Sequence, residues 1–175
     1  LVNRDVVRMK NRMDQKLEFY KMIRASGRVP HSDHLMVTRE TAPPHLAQRL
    51  ELPPGEPQTL VFVQRRVLAD DIPVLYSTDI LPLSLFNGQR LDTLDFTKSI
   101  FEIVANVCHQ EVTKTLAHVH AVTGSPAIRR QLGLRPDQAL MQLDETCYSR
   151  LCKPVLCCQT CYTDFFDFAI VRKLM

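Results

Sequence analysis

The chain has 175 residues, 45% of them hydrophobic and 23% charged, with 22 basic against 19 acidic residues. This is the length and composition of one globular domain with a slight positive excess. Its longest apolar runs, such as Leu60–Val63 and Val155–Cys158, fall well short of the roughly 18 residues of a membrane-spanning helix. The densest basic stretch, Arg4, Arg8, Lys10, Arg12, Lys16, Lys21 and Arg24, is interrupted by Asp5, Asp14 and Glu18. It reads as a solvated helix face rather than a nucleic-acid-binding stripe. The first residues have no apolar signal core and no initiator Met, which suggests a cytoplasmic fragment of a longer protein. The cysteines, Cys108, Cys147, Cys152, Cys157, Cys158 and Cys161, are then expected to be reduced and metal-free.

Leu17, Tyr20, Ile23 and Arg24 have helical spacing, so a helix is expected over 13–25 with Gly27 as its stop. A short strand follows at His34–Arg39. Pro43 and Pro44 open a short helix running to Leu50. Thr59–Leu68 and Pro73–Leu81 read as the strands of a hairpin turning at Asp70 and Asp71. Ile100, Phe101, Val104, Val107 and Cys108 place a helix over 97–108, capped by Asp95 or Thr97. Glu111–Val122 alternates like a strand. Ser125 and Pro126 start a helix that Gly133 ends. Strands are expected at 139–148 and 154–163, and Phe165–Val171 as a further strand.

An internal repeat organises these elements. Leu50, Leu52 and Pro54 match Leu132, Leu134 and Pro136. After a one-residue slip, Pro73-Val74-Leu75 matches Pro154-Val155-Leu156. Each copy is a short helix, a Leu-x-Leu-x-Pro turn and a hairpin. Two copies are too few for a solenoid; they suit an α+β domain in which both hairpins join one central antiparallel sheet with flanking helices.

The chemistry-bearing residues are few. Cys158 and Cys161 are three apart on a strand, so they face opposite sides and cannot share a metal. His118 and His120 share a strand face, which is more often simply solvated. There is no glycine-rich phosphate loop and no nucleophile elbow, so no cofactor is called for. Two charges interrupt apolar faces: Arg65 among Val61, Val63 and Val67, and Glu145 among Ala139, Met141, Leu143 and Cys147. An interior charge needs a partner. The two either pair with one another, or Arg65 lines a pocket and takes the anionic group of a ligand.

The ordered set Leu50-Glu-Leu-Pro-Pro-Gly-Glu-Pro, Gln64-Arg-Arg-Val-Leu-Ala-Asp-Asp-Ile-Pro-Val, Leu81-Pro-Leu, Ser99-Ile-Phe-Glu-Ile, Leu132-Gly-Leu-Arg-Pro, Pro154-Val155 and Tyr162-Thr-Asp-Phe-Phe resembles the UTRA domain. That domain is the effector-sensing half of HutC-type GntR transcriptional regulators. The resemblance runs from about Leu17 to the C-terminus. It implies a chorismate-lyase-like fold and a small-molecule sensor rather than an enzyme. It also implies a homodimer and a preceding winged helix-turn-helix domain that binds operator DNA, most simply as a repressor. Residues 1–16 would be the end of the interdomain linker and 17–175 the sensing domain. The matching positions make Arg65, Ser77, Ser99, Glu145 and Tyr162 the expected ligand-binding set. Val67, Ser77 and Leu156 stand where the family pattern has a second arginine and two glutamates. These losses imply a less polar effector, or one with a single anionic group. The competing readings are a chorismate-lyase-like enzyme with Glu145 as acid or base, and a dimerisation module without a ligand.

Overall fold

The computed structural model describes residues 11–13, 18–55 and 58–170. In chain order the elements are α1 (Phe19–Ala25), β1 (Pro30–Thr41), α2 (Pro44–Arg49), β2 (Thr59–Ala69) and β3 (Ile72–Pro82). Two 3₁₀ turns, Leu83–Phe86 and Leu91–Thr93, lead to α3 (Ile100–Asn106), β4 (Val112–Val122), α4 (Pro126–Leu132), β5 (Leu140–Ser149) and β6 (Pro154–Tyr162). The strands form one six-stranded sheet in the order β1-β2-β3-β6-β5-β4, antiparallel throughout.

The repeat is the organising symmetry of this sheet. β3 and β6 pair at its centre, where Thr78 faces Gln159, with Ser77↔Thr160 on one side and Asp79↔Cys158 on the other. The chain order helix, strand, helix, hairpin is thus laid down twice about a pseudo-two-fold at Thr78/Gln159. The expected hairpins β2–β3 and β5–β6 both form.

Alternation along the strands divides the core between two faces. On one face α2 and α4 cover small equivalent clusters. Leu46 and Leu50 pack with Leu60, Ile80 and Cys157, and Leu132 packs with Leu140 and Cys161. On the other face α3 covers Val61, Val63, Leu81, Cys147 and Leu156, and α1 covers Val67, Val74, Leu75, Leu143 and Tyr162. Cys158 and Cys161 fall in clusters on opposite faces. Burial pushes the Cys108 and Cys157 thiols up to about 11, which keeps them protonated and unreactive at neutral pH.

α4 starts and stops as its sequence dictates: Ser125 Oγ accepts from the Ile128 N–H and Gly133 adopts φ 63°. Elsewhere the boundaries differ from the expectation. Met13 is in a turn, Asp14 to Leu17 lie outside the described residues, and α1 is helical only from Phe19. β1 begins at Pro30 rather than His34. Its early residues carry no apolar alternation, but their backbone pairs with β2 across a bulge between Asp33 and Met36, where His34 turns to φ 48°. The helix expected from 97 begins only at Ile100. The Asp95 carboxylate accepts from Thr97 N–H and hydroxyl, a local turn that keeps this segment out of the helix. Through Ile170 the tail is not a strand, and Val171 lies outside the described residues. Among its described residues, Ala169 makes one isolated bridge to Arg12, while Phe166 and Phe168 stack edge-on against Tyr162.

Candidate functional site

The face covered by α1 and α3 is apolar at both ends and polar across its middle. The pairing aligns Val63, Asp79, Cys158, Glu145 and Ala117 in one row. Arg65, Ser77, Thr160, Leu143 and Val119 form the next row. Arg65, Ser77, Asp79, Glu145 and Thr160 are all buried, as is Ser99 at the start of α3. Period-two alternation therefore sets a polar belt between two apolar clusters, roofed by the two helices.

Arg65 is the largest of the fully buried side chains. Its counter-charge is neither a ligand nor Glu145 but Asp79, whose carboxylate lies 2.5 Å from the guanidinium. The expected pairing is corrected here: the acid that holds Arg65 stands on the neighbouring strand β3, two residues beyond Ser77 on the same face. Arg65 also donates to the carbonyls of Phe96 at 2.8 Å and Lys98 at 2.7 Å. The intervening Thr97 carbonyl accepts from the Tyr20 hydroxyl at 2.7 Å. The Phe19 ring lies 5.6 Å from the guanidinium carbon, a cation–π distance. Arg65 therefore fastens α1, β3 and the segment entering α3 to one another.

Ser77 directly faces Arg65 across β2–β3, and Ser99 occupies the N-cap position of α3 without making a cap bond. Both hydroxyl oxygens are buried with no hydrogen-bond partner among the described residues. Such orphans cost on the order of 1–3 kcal/mol each, and native interiors keep few of them. Tyr162 is buried at the edge of the belt, and burial first, then the negative Glu145, raises its hydroxyl far above the usual phenol range. It stays a neutral donor and acceptor.

Glu145 is only 3% exposed, and it forms part of the floor of a cavity of about 600 Å³. α1 contributes Lys21 to the walls, with Glu18 just before it; α3 contributes Phe101 and Ala105; β4 contributes Val112, Thr115 and Ala117. A second cavity of about 470 Å³ lies on the other side of Glu18 and is lined by Ser99, Glu102 and Tyr20. Both volumes fall in the range of small-molecule sites. Arg65 lines neither of them. The structure thus brings Arg65, Ser77, Ser99, Glu145 and Tyr162 to one belt, but divides them: Glu145, Ser99 and Tyr162 each line a different cavity, that of Tyr162 measuring about 430 Å³, whereas Arg65 is enclosed. Asp79 is the member the sequence reading missed. Its signal was the pair of polar residues, Ser77 and Asp79, between Leu75 and Leu81 on one strand face. Among the described residues no group of three or more His, Cys, Asp and Glu side chains could hold a metal ion. No helix there is long and apolar enough to cross a membrane.

The family model of the UTRA domain matches residues 25–164. The chain is similar in fold to PhnF from Mycobacterium smegmatis, with a TM-score of 0.82, 18% identity, and coverage of 94% of this chain and 72% of that one. The isolated effector domain of the same PhnF gives 0.78 at 20% identity, covering 93% and 99%. A ligand-binding domain from Bordetella bronchiseptica, assigned to the GntR family of transcriptional regulators, gives 0.68 at 26% identity, covering 77% and 85%. No curated protein sequence matches the chain.

Proposed function

Because the chain belongs to the UTRA family, and is thus an effector-binding regulatory domain, we propose that it senses a small organic molecule in the cavity floored by Glu145. The observation that carries this reading is the placement of a nearly buried carboxyl group at the bottom of a 600 Å³ cavity. A domain built only for packing or dimerisation would fill such a site with apolar side chains. Occupancy would reach the rest of the protein through α1 and α3, which form two walls and converge on Arg65. A ligand with different affinity for two arrangements of these helices shifts their populations.

The remaining parts of the proposal come from the family. They are a homodimer, a DNA-binding domain preceding residue 17, operator binding relieved by the effector, and action in the cytoplasm. No catalytic step is assigned to Glu145; its role is recognition. The expectation of an anionic effector rested on Arg65, and supports the reading less once Asp79 holds that guanidinium: an anion would have to displace a carboxylate already in place.

The test is native mass spectrometry of the domain purified without denaturation. A retained organic molecule at one per chain, lost when Ala117→Phe fills the cavity wall, is the expected result. Retention unchanged by Ala117→Phe would remove this cavity from the function.

A further inference from the structure

We propose that the open edge of β4 is the surface on which a second copy of this chain docks, the two β4 strands pairing antiparallel so that both sheets run on into one. The inference rests on the homodimer taken from the family above and adds the surface that makes it.

β1 and β4 are the two edges of the sheet, and the pseudo-two-fold at Thr78/Gln159 exchanges them. Each has one hydrogen-bonded neighbour, β2 for β1 and β5 for β4, and among the described residues nothing pairs with their outer sides. An edge strand offers unpaired N–H and C=O groups to any other strand, and proteins blunt such edges with charge, proline or a bulge. β1 has all three. Pro30 opens it, the ladder breaks between Asp33 and Met36, and Asp33, Arg39 and Glu40 carry charge along it.

β4 has none of these along its regular run. Asp33, Arg39 and Glu40 face Arg66, Val61 and Leu60 on β2; the equivalent positions of β5, Thr146, Met141 and Leu140, are faced by Leu116, Ala121 and Val122. The β4 ladder is regular from Lys114 to Val122, holds no proline or glycine, and has Lys114 as its one permanent charge. Leu116 and Val119 are 53% and 52% exposed, on opposite faces of the strand. Val119 and Ala121 also share the cavity of about 430 Å³ with Met141, Phe166 and Phe168, so apolar surface continues beside the edge.

A second copy fits this edge by symmetry and by charge. An antiparallel edge is complementary to itself under a two-fold perpendicular to the sheet, the operation that already relates β3 to β6 within the chain. An axis through His118, the middle of the regular run, sets Ala117 opposite the partner's Val119, a small side chain against a larger one on the same face. It also sets Lys114 opposite the partner's Val122, so the two lysines lie at opposite ends of the interface and do not repel. Lys114, Thr115 and Ala117 line the Glu145 cavity, and the partner strand would border the proposed effector site.

The test is sedimentation of the 175-residue chain at tens of micromolar, where the parent should run as a dimer. Leu116→Lys combined with Ala121→Lys charges two exposed β4 positions. It should raise the dissociation constant about 100-fold or more and leave the far-ultraviolet dichroism unchanged. Leu35→Lys combined with Met36→Lys, at exposed positions of β1, should leave the dimer intact. Amide exchange followed by NMR is an independent reading on the parent: the outward-facing N–H groups of β4 should exchange slowly, and fast in the β4 variant. A dimer that survives the β4 substitutions, or that those on β1 break, overturns this surface and leaves the family's dimer standing. A monomeric parent overturns both, and slow outward β4 amides in that monomer would assign the edge to another segment of the same chain.

Discussion

Arg65 on β2 and Glu145 on β5 occupy equivalent positions of the two halves. Arg65 faces Ser77 on β3 and Glu145 faces Cys158 on β6. Those two residues are themselves exchanged by the pseudo-two-fold at Thr78/Gln159. Yet the environments differ. Arg65 has 0% exposure, an ion pair and two carbonyl acceptors, whereas its counterpart reaches a cavity. The residue equivalent to Asp79 in the second half is Thr160, which supplies no charge. The same backbone, laid down twice, carries a charge enclosed in an ion pair in one half and a charge on a cavity wall in the other. The first half is built as a clamp for α1 and the entry to α3. The second half is built as a floor.

The largest effect should come from unbalancing the clamp. Asp79→Ala leaves a buried guanidinium without its counter-charge and should destabilise the domain by about 3–5 kcal/mol, read from urea unfolding midpoints. The double variant Arg65→Met with Asp79→Leu should recover most of that loss, because apolar replacement of a buried pair is often neutral or better. Glu145→Gln, at the equivalent position, should cost less than about 1.5 kcal/mol, within the ordinary range for a single substitution. Equal losses for Asp79→Ala and Glu145→Gln would break the distinction between clamp and floor.

On the opposite face the halves should behave alike. Leu50→Ala beneath α2 and Leu132→Ala beneath α4 remove equivalent buried side chains, 3% and 4% exposed. Each should cost about 2–4 kcal/mol by calorimetric or chemical unfolding. Values differing by more than about 1.5 kcal/mol, beyond what local collapse explains, would mean that the symmetry is one of chain path and not of packing.

The helix starts give a smaller contrast. Ser125→Ala removes a made cap bond and should cost about 1 kcal/mol. Ser99→Ala removes a buried hydroxyl that bonds nothing among the described residues, so it should be neutral or slightly stabilising in the absence of ligand. A loss at Ser99 equal to that at Ser125 would reveal a partner for its hydroxyl and weaken the case for Ser99 as a recognition group.

Much of the scaffold was legible in the sequence because local signals and tertiary packing agree in it. Ser125, Pro126 and Gly133 bound α4 by their own chemistry, and the duplicated Leu-x-Leu-x-Pro and Pro-Val-Leu runs foretold two hairpins in one sheet. Arg65 and Glu145 stood out because each breaks an apolar alternation. Their partners were not legible. Arg65 is held by an acid one row away on the neighbouring strand and by carbonyls of a segment about thirty residues on. Neither the register nor the path of that segment follows from composition or period. The extent of β1 was hidden for a related reason, since an edge strand held by backbone pairing needs no apolar pattern of its own.

The smallest expected effect tests how the covering helices are stitched to the sheet. On the α2/α4 face two contacts cross between the halves at equivalent positions. Arg49 at the end of α2 donates to Thr146 on β5 at 2.6 Å. Arg66 on β2 donates to the Gln131 carbonyl of α4 at 3.0 Å. Each arginine also holds a carboxylate, Asp144 for Arg49 and Asp33 for Arg66. The side-chain hydrogen bond from Arg66 holds the Asp33 carboxyl below its ordinary 3.8. A carboxyl depressed in the folded state contributes stability at pH values above its unfolded pKa and loses it as pH falls through the folded one. The Asp33 contribution should therefore be intact at neutral pH and disappear progressively below about pH 4. Its side chain is 37% exposed, so solvent screening keeps the effect to a few tenths of a kcal/mol. Unfolding free energies at pH 6 and pH 3 should fall slightly further apart for the parent than for Asp33→Asn, and the gap should narrow in high salt. If Asp33→Asn shows the same acid loss as the parent at low salt, the Asp33–Arg66 pair contributes nothing, and Arg66 fastens α4 through the Gln131 carbonyl alone.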